Sequence, residues 1–177
     1  MGAARVCSSC RPVIRIIGYC ASGCSSAGIR SAGTNLPRPD AEYPFVLTTG
    51  RQLEHWHTGA MTRRSGVLDA IEPAPTASLH PLDLDRLKVR PGELLTVESR
   101  RGKIALYARA DAGTPRGAVF IPFCYYEAAA NLLTNPALDP FGKIPEFKYC
   151  AVKVTRGGAK PGDPGYGKGR TLEELYK

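Results

Sequence analysis

What the sequence does without narrows the field first. No run of residues approaches the roughly 20 consecutive apolar positions that a bilayer crossing takes, so a spanning helix is excluded and no membrane partner is expected. An uninterrupted leader core is missing too, because the best apolar stretch, Pro12 to Ala21, is broken by Arg15. No Arg pair stands near the start, and Ala21-Ser22-Gly23-Cys24 has Ala where a lipoprotein cleavage box carries a larger aliphatic residue. Histidine is scarce, 3 in 177 residues, and two of the three share one segment, which leaves no legible nucleophile–base pair. The cysteines do not form the even framework of a small secreted domain. These absences make a cytoplasmic, reducing location the expectation.

Acidic residues are also short, 16 against 24 Lys and Arg, for a net charge of +8. A basic chain invites a polyanionic partner, either nucleic acid or a phosphate-rich cofactor. The location of the charge decides between them. Residues 1–40 carry +4 and residues 155–177 carry +2, which leaves only +2 on the long middle piece. Basic flanks around a balanced body are the pattern of solvated tails, so no nucleic-acid partner is expected. With 43% hydrophobic and 23% charged residues, the chain has a globular composition, neither collagen-like nor wholly disordered.

Texture divides the chain into three. Residues 1–40 are rich in Ser, Gly, Ala, Arg and Cys and sustain neither a two-residue nor a 3.6-residue apolar period, so poor order is expected there. Residues 41–155 form the folded domain. Residues 156–177 are a Gly/Pro/Lys-rich tail. Within the domain, Tyr43 to Thr49 reads as a buried strand that stops at Gly50. Pro81 to Leu87 reads as a short helix with Pro at its first position and Leu82 and Leu87 on one face. Leu94 to Ser99 and Ile104 to Ala110 read as a hairpin, with Gly102 supplying a positive φ at the turn. Ala118 to Phe123 reads as a strand that lies at an edge or ends at Pro122. Glu127 to Leu133 offers one or two helical turns, Thr134 to Pro145 a long ordered loop, and Phe147 to Val154 the last strand. Short strands, one short helix and long polar loops predict a small closed or nearly closed β-barrel.

Two motif-like stretches carry less than they promise. Cys7, Cys10, Cys20 and Cys24 are spaced C-x2-C-x9-C-x3-C, but no hydrophobic residues stand ready to build a zinc knuckle around them, so no metal site is expected. Gly162 to Gly169 nearly spells a phosphate loop, yet has Gly where the magnesium-ligating hydroxyl belongs. The segment Gly50 to Arg64 is different. It holds the only Trp, two His and three Arg in fifteen residues. His55 and His57 are two apart and diverge on a helix, which disfavours a shared metal. Donors beside an aromatic plate, placed after a strand, suit a flat heteroaromatic ligand that carries phosphates. The alternative is a solvated loop with Trp56 as a core anchor. Asn131 to Asn135 adds amide groups that match the edge of a pterin or purine, and Lys148 adds a charge for an anion.

These residues resemble a known family. FVLTTGRQLEHWHTGAMTRR (45–64), LHPLDLDRLKVRPGELLTVESRRGKI (79–104) and VFIPFCYYEAAANLLTNPALDPFGKIPEFKYCAVKV (119–154) are similar to the C-terminal molybdopterin-dinucleotide-binding domain of molybdopterin oxidoreductases. The match is closest to the alpha (catalytic) subunit of molybdenum-containing formate dehydrogenases. The resemblance implies a mainly β fold, a six-stranded double-psi β-barrel with short helices and long loops. It also implies contact with bis-molybdopterin guanine dinucleotide through Thr49, Arg51, His55, Trp56, His57, Asn131, Thr134, Phe147 and Lys148, with Arg51 and His55 as the main contacts. In that family the metal ligand and the substrate-orienting His and Arg lie upstream of this domain. The expectation is therefore a detached or truncated piece of a formate-oxidising subunit, with no catalytic or metal-ligating residue of its own. Its expected partners are the missing upstream domains and electron-transfer subunits. A stand-alone, non-enzymatic cofactor-binding or interaction module is the alternative, as is the matching domain of another molybdopterin oxidoreductase such as nitrate reductase.

Overall fold

The computed structural model describes residues 38–163. The four N-terminal cysteines and most of the 162–169 glycine run lie outside the described residues.

Six strands close into a barrel: β1 (Phe45–Gly50), β2 (Thr76–Leu79), β3 (Leu94–Glu98), β4 (Lys103–Ala110), β5 (Ala118–Pro122) and β6 (Cys150–Arg156). Around the ring the order is β1-β5-β2-β4-β3-β6. The pairs β1–β5 and β2–β4 are parallel, and the other four are antiparallel. Parallel neighbours need crossover connections, and those crossings interleave strands far apart in sequence.

Period-two alternation builds the wall. Phe45 and Leu47 of β1, Leu95 and Val97 of β3, Ile104, Leu106 and Ala108 of β4, Val119 and Ile121 of β5, and Val152 and Val154 of β6 all point into one core. Closure leaves no unpaired edge within the ring. The strand Ala118–Pro122 therefore ends at Pro122 as expected but is no edge strand, since it pairs on both sides. Pro122 is tolerated as its final residue, opposite Gly50.

Two strands run against the sequence reading. The strand Thr76–Leu79 is buried at every position, so it has no alternation to betray it. The last strand starts at Cys150, three residues later than expected, because Phe147 and Lys148 turn aside to meet Thr49. Two short helices complete the unit: α1 (Gly66–Ile71), not foreseen, and α2 (Pro81–Leu87). In α2, His80 caps the start by accepting from the Leu82 N–H at Nδ1, 3.1 Å away. Leu84 and Leu87, three apart, meet the core while Leu82 faces solvent, which corrects the expected Leu82/Leu87 face. Gly102 in the β3–β4 turn has no positive φ. It is needed for space: a Cβ there would sit 2.9 Å from the Leu132 carbonyl oxygen.

Candidate functional site

Strand direction gathers the interesting loops at one end. β1 and β5 run parallel and finish at Gly50 and Pro122, while β2, β4 and β6 begin at the same end. Two long excursions, 51–75 and 123–149, leave from there, and the tip of the β3–β4 hairpin lies beside them. All nine residues singled out in the sequence sit on this end.

Gly50 marks the exit of the first excursion. A Cβ at Gly50 would stand 2.5 Å from the Phe120 ring, so only Gly lets the chain pass. Arg51 is exposed. His55 turns inward and is buried. Its Nε2 lies 2.9 Å from the Glu72 carbonyl, and since a carbonyl only accepts, Nε2 carries the proton. Nδ1 is then left as a buried acceptor with no partner. Trp56 is 67% exposed, which sets aside the core-anchor alternative. His57 adopts a left-handed backbone, φ 51°, and its ring stacks edgewise on Phe123 at 5.3 Å.

Thr49, Phe147 and Lys148 come together in a seam. The Thr49 hydroxyl donates to the Phe147 carbonyl at 2.9 Å, and Lys148 Nζ donates to the Thr49 carbonyl at 2.6 Å. Asn131 is exposed, and its carbonyl accepts from the Thr134 hydroxyl at 3.1 Å. This turn is steadied by the β3–β4 hairpin, where Arg101 donates from Nε and Nη2 to the Leu133 carbonyl at 3.1 and 2.9 Å. The excursions therefore meet at His57–Phe123 and around Glu72, whereas Asn131 and Thr134 join the rest through the hairpin tip.

The sequence reading missed a buried polar layer beneath these residues. Arg63 Nε donates to Asp69 at 2.7 Å, and its two terminal nitrogens grip Glu127 at 3.1 and 3.0 Å. Burial pulls the Arg63 guanidinium down, but the hydrogen bonds and charges of Glu127 and Asp69 outweigh it and hold the group above its ordinary value. The guanidinium lies 4.5 Å from the centre of the Tyr125 ring. Tyr125 donates its hydroxyl to the Glu72 carbonyl at 2.9 Å and meets the His55 ring edge-on at 5.8 Å. Burial raises the Tyr125 hydroxyl above its usual range and pushes the neighbouring Cys124 thiol up to about 12. Arg63 lay in the segment already picked out for its His and Trp, but nothing in a linear pattern says which of three arginines turns inward.

The surface of this end is unusual in the opposite sense. Twelve large hydrophobic residues are exposed among the described residues, and all but Leu82 belong to the two excursions. Leu53 and Phe141 are the most exposed, at 96% and 92%. Phe141 rides on an arm closed by the Leu138–Pro145 bridge. Single exposed hydrophobics need no explanation, but their concentration on the two excursions sets this end apart from the other. Among the described residues no group of His, Cys, Asp and Glu could hold a metal ion, and no helix is long and apolar enough to cross a membrane.

Comparison with known proteins agrees with this geometry. The chain is 49% identical over 118 residues to the F420-dependent formate dehydrogenase subunit alpha of Methanocaldococcus jannaschii, which covers 67% of this chain and 18% of that protein. It is 45% identical over 118 residues to the F420-dependent formate dehydrogenase 1 subunit alpha of Methanococcus maripaludis, covering 66% and 17%. The chain thus spans less than a fifth of the length of these curated relatives. Acetylene hydratase from Pelobacter acetylenicus shares the fold, with a TM-score of 0.59 at 24% identity, covering 65% of this chain and 18% of that one. The family model for the molydopterin dinucleotide binding domain matches residues 45–151, more than half of the sequence and the whole barrel up to the start of its last strand; the chain belongs to that family.

Proposed function

We propose that the end of the barrel carrying the two excursions is the face that holds a molybdopterin guanine dinucleotide. In this reading the domain serves a formate dehydrogenase-like oxidoreductase. The observation that carries it is the gathering of unlike donors on one end: Arg51, His57, Asn131 and Lys148, beside the two-thirds exposed Trp56. That donor set fits the group. A guanidinium and an ammonium suit phosphates, an Asn amide suits the paired donor and acceptor edge of a pterin or guanine, and an indole face suits a flat ring. The buried, unpartnered His55 Nδ1 is an acceptor that a ring N–H of the ligand would satisfy. When bound, the cofactor supplies the molybdenum centre at which formate is oxidised to carbon dioxide. This chain's own residues bind and orient it. Thr49 and Lys148 brace the seam, and Arg51 neutralises phosphate charge.

The exposed apolar residues of the same end then have an occupant. They dock against the remaining part of an alpha subunit, the four-fifths of the relatives' length that this chain does not span. Electron-transfer subunits belong beyond it, in a cytoplasmic enzyme. The boundaries 1–40, 41–155 and 156–177 stand as the proposed division of the chain.

The test is reconstitution. The chain is mixed with the jannaschii alpha subunit shortened to end before its matching segment, and with released cofactor. Bound molybdenum and formate-dependent dye reduction are expected from the mixture, and no dye reduction from the 177-residue chain alone. Cofactor bound by the chain alone with no gain from the shortened subunit would favour the stand-alone module. Failure of both the chain and the mixture to retain pterin would refute the reading.

A further inference from the structure

We propose that Arg63 is the positioning residue of the ligand-facing end, the lock that holds its two excursions in one register; the inference rests on the cofactor reading above and deepens it. Arg63 is wholly buried, yet it belongs to no part of the barrel core. Its partners divide between the two excursions. Asp69 belongs to the first, on α1, and Glu127 to the second, five residues past the end of β5. Both terminal nitrogens reach Glu127 in a fork, while Nε takes Asp69. A planar guanidinium fixes the direction of all three bonds at once, which an ammonium cannot do.

The path from this lock to the ligand face is short. The Arg63 guanidinium lies over Tyr125, the Tyr125 edge meets His55, and both Tyr125 and His55 donate to the same Glu72 carbonyl. The next two residues after His55 are Trp56 and His57. Glu127 in turn stands four residues before Asn131. The backbone leaves room for the device: Gly59 has φ +76, and a Cβ on it would strike Arg63 Cγ at 2.5 Å and the Cys124 carbonyl at 2.9 Å. The Arg63 N–H also donates to the Gly59 carbonyl at 2.9 Å, closing the turn in which the side chain is held.

Stability does not account for such an arrangement. One cation and two carboxylates lose their water here, and apolar residues of the same volume often pack as well or better. What the ions supply that apolar residues do not is a single arrangement of two long loops that the barrel wall leaves unspecified. Arg63 itself is buried away from the face, so it acts on the ligand through the loops.

The experiment uses the full 177-residue chain and three changes: Arg63→Lys, Glu127→Gln, and the neutral triple Arg63→Met/Asp69→Asn/Glu127→Gln, which keeps the volume and removes the charges. Hydrogen exchange is followed in peptides from 51–72 and 123–133 and, as a reference, in β3, β4 and β6. Affinity for molybdopterin guanine dinucleotide released from a purified molybdoenzyme is measured by pterin fluorescence. Arg51→Ala serves as the contact control, expected to weaken binding without changing exchange. The lock predicts at least tenfold faster exchange in both excursions, unchanged exchange in the three strands, and at least tenfold weaker binding for Arg63→Lys and for the neutral triple. If Arg63→Lys fails to fold, Glu127→Gln gives the same two readouts. Wild-type exchange rates in both excursions would overturn the proposal, as would looser excursions with wild-type affinity. A wild-type chain that binds no cofactor even with the shortened alpha subunit present refutes the functional reading instead, and the exchange comparison then decides alone whether the lock exists.

Discussion

The two ends of the barrel solve the same problem in opposite ways. At the end where β1 enters, the connections are short and finish their own hydrogen bonding. Asp83 accepts from the Gly117 N–H at 2.6 Å, and the Asp111 carboxylate takes the Gly113 N–H and the Thr114 hydroxyl at 2.8 and 2.9 Å. Among the described residues, only Leu82 is a large exposed hydrophobic residue there. At the other end, charges are buried and apolar side chains are exposed. Burying ions and exposing hydrophobics both cost stability in an isolated domain. The first end buries a single carboxylate, Asp83, and shows that the same wall can be closed without a buried cluster of ions or a crowd of exposed hydrophobics.

The largest effect tests the wall the two ends share. Leu106→Ala should cost about 2–5 kcal/mol, measured by urea unfolding, and loosen both ends together. A loss well below that range would mean that the ends, not the wall, hold the domain. Gly59→Ala comes next, at roughly 1–3 kcal/mol from overpacking and a left-handed backbone. Its damage should stay at the ligand end, visible as protease cleavage within 51–75 while β3 and β4 keep their amide protection.

His55→Ala should cost about 1 kcal/mol for a lost buried hydrogen bond, and it should also lower cofactor occupancy in the reconstituted enzyme. Arg51 is exposed, so Arg51→Ala should leave stability unchanged while weakening binding about ten- to a hundredfold. Alkaline pH separates the ends further. Cys124 and Tyr125 ionise later in the folded chain than in the unfolded one, so the unfolded state loses its protons first. Their stabilising contribution is complete below about pH 9, and the Cys124 part is lost as the pH rises to about 12. Near-ultraviolet signals from the ligand end should therefore fade in that window before far-ultraviolet signals from the strands. Phe141→Ser should change stability by less than about 0.5 kcal/mol and yet weaken association with the shortened alpha subunit, measured by gel filtration of the mixture.

The sequence announced the wall more fully than the end that carries the two excursions. Strands such as Leu94–Glu98 and Lys103–Ala110 alternate because one face meets a core, and alternation is visible in a line of letters. Thr76–Leu79 was invisible for the converse reason: its every residue is buried, and Thr-Ala-Ser-Leu has no alternation and only one strand former, Thr76. At the end with the two excursions, composition singled out segments but not the direction of each side chain. His55 and His57 are two residues apart, and one is buried while the other is exposed. Arg63 and Arg64 are adjacent, and only the first turns inward. Those choices are made by Glu127 and Tyr125, more than sixty residues away, and no local pattern records them.

The pairing of the first strand with the last has a further meaning for how such a piece travels between proteins. Phe45 lies opposite Val152, so the chain enters β1 and leaves β6 toward the same rim, opposite the two excursions. A segment tethered at one small patch of its back can be joined to a new neighbour, or parted from an old one, without breaking a strand pair. Residues 45–156 hold every strand of the ring. A cut that also keeps the buried Tyr43 and Gly157, which bonds to Leu94 and Thr96, leaves the barrel whole, and the same two cut points are where a graft into another scaffold would be made.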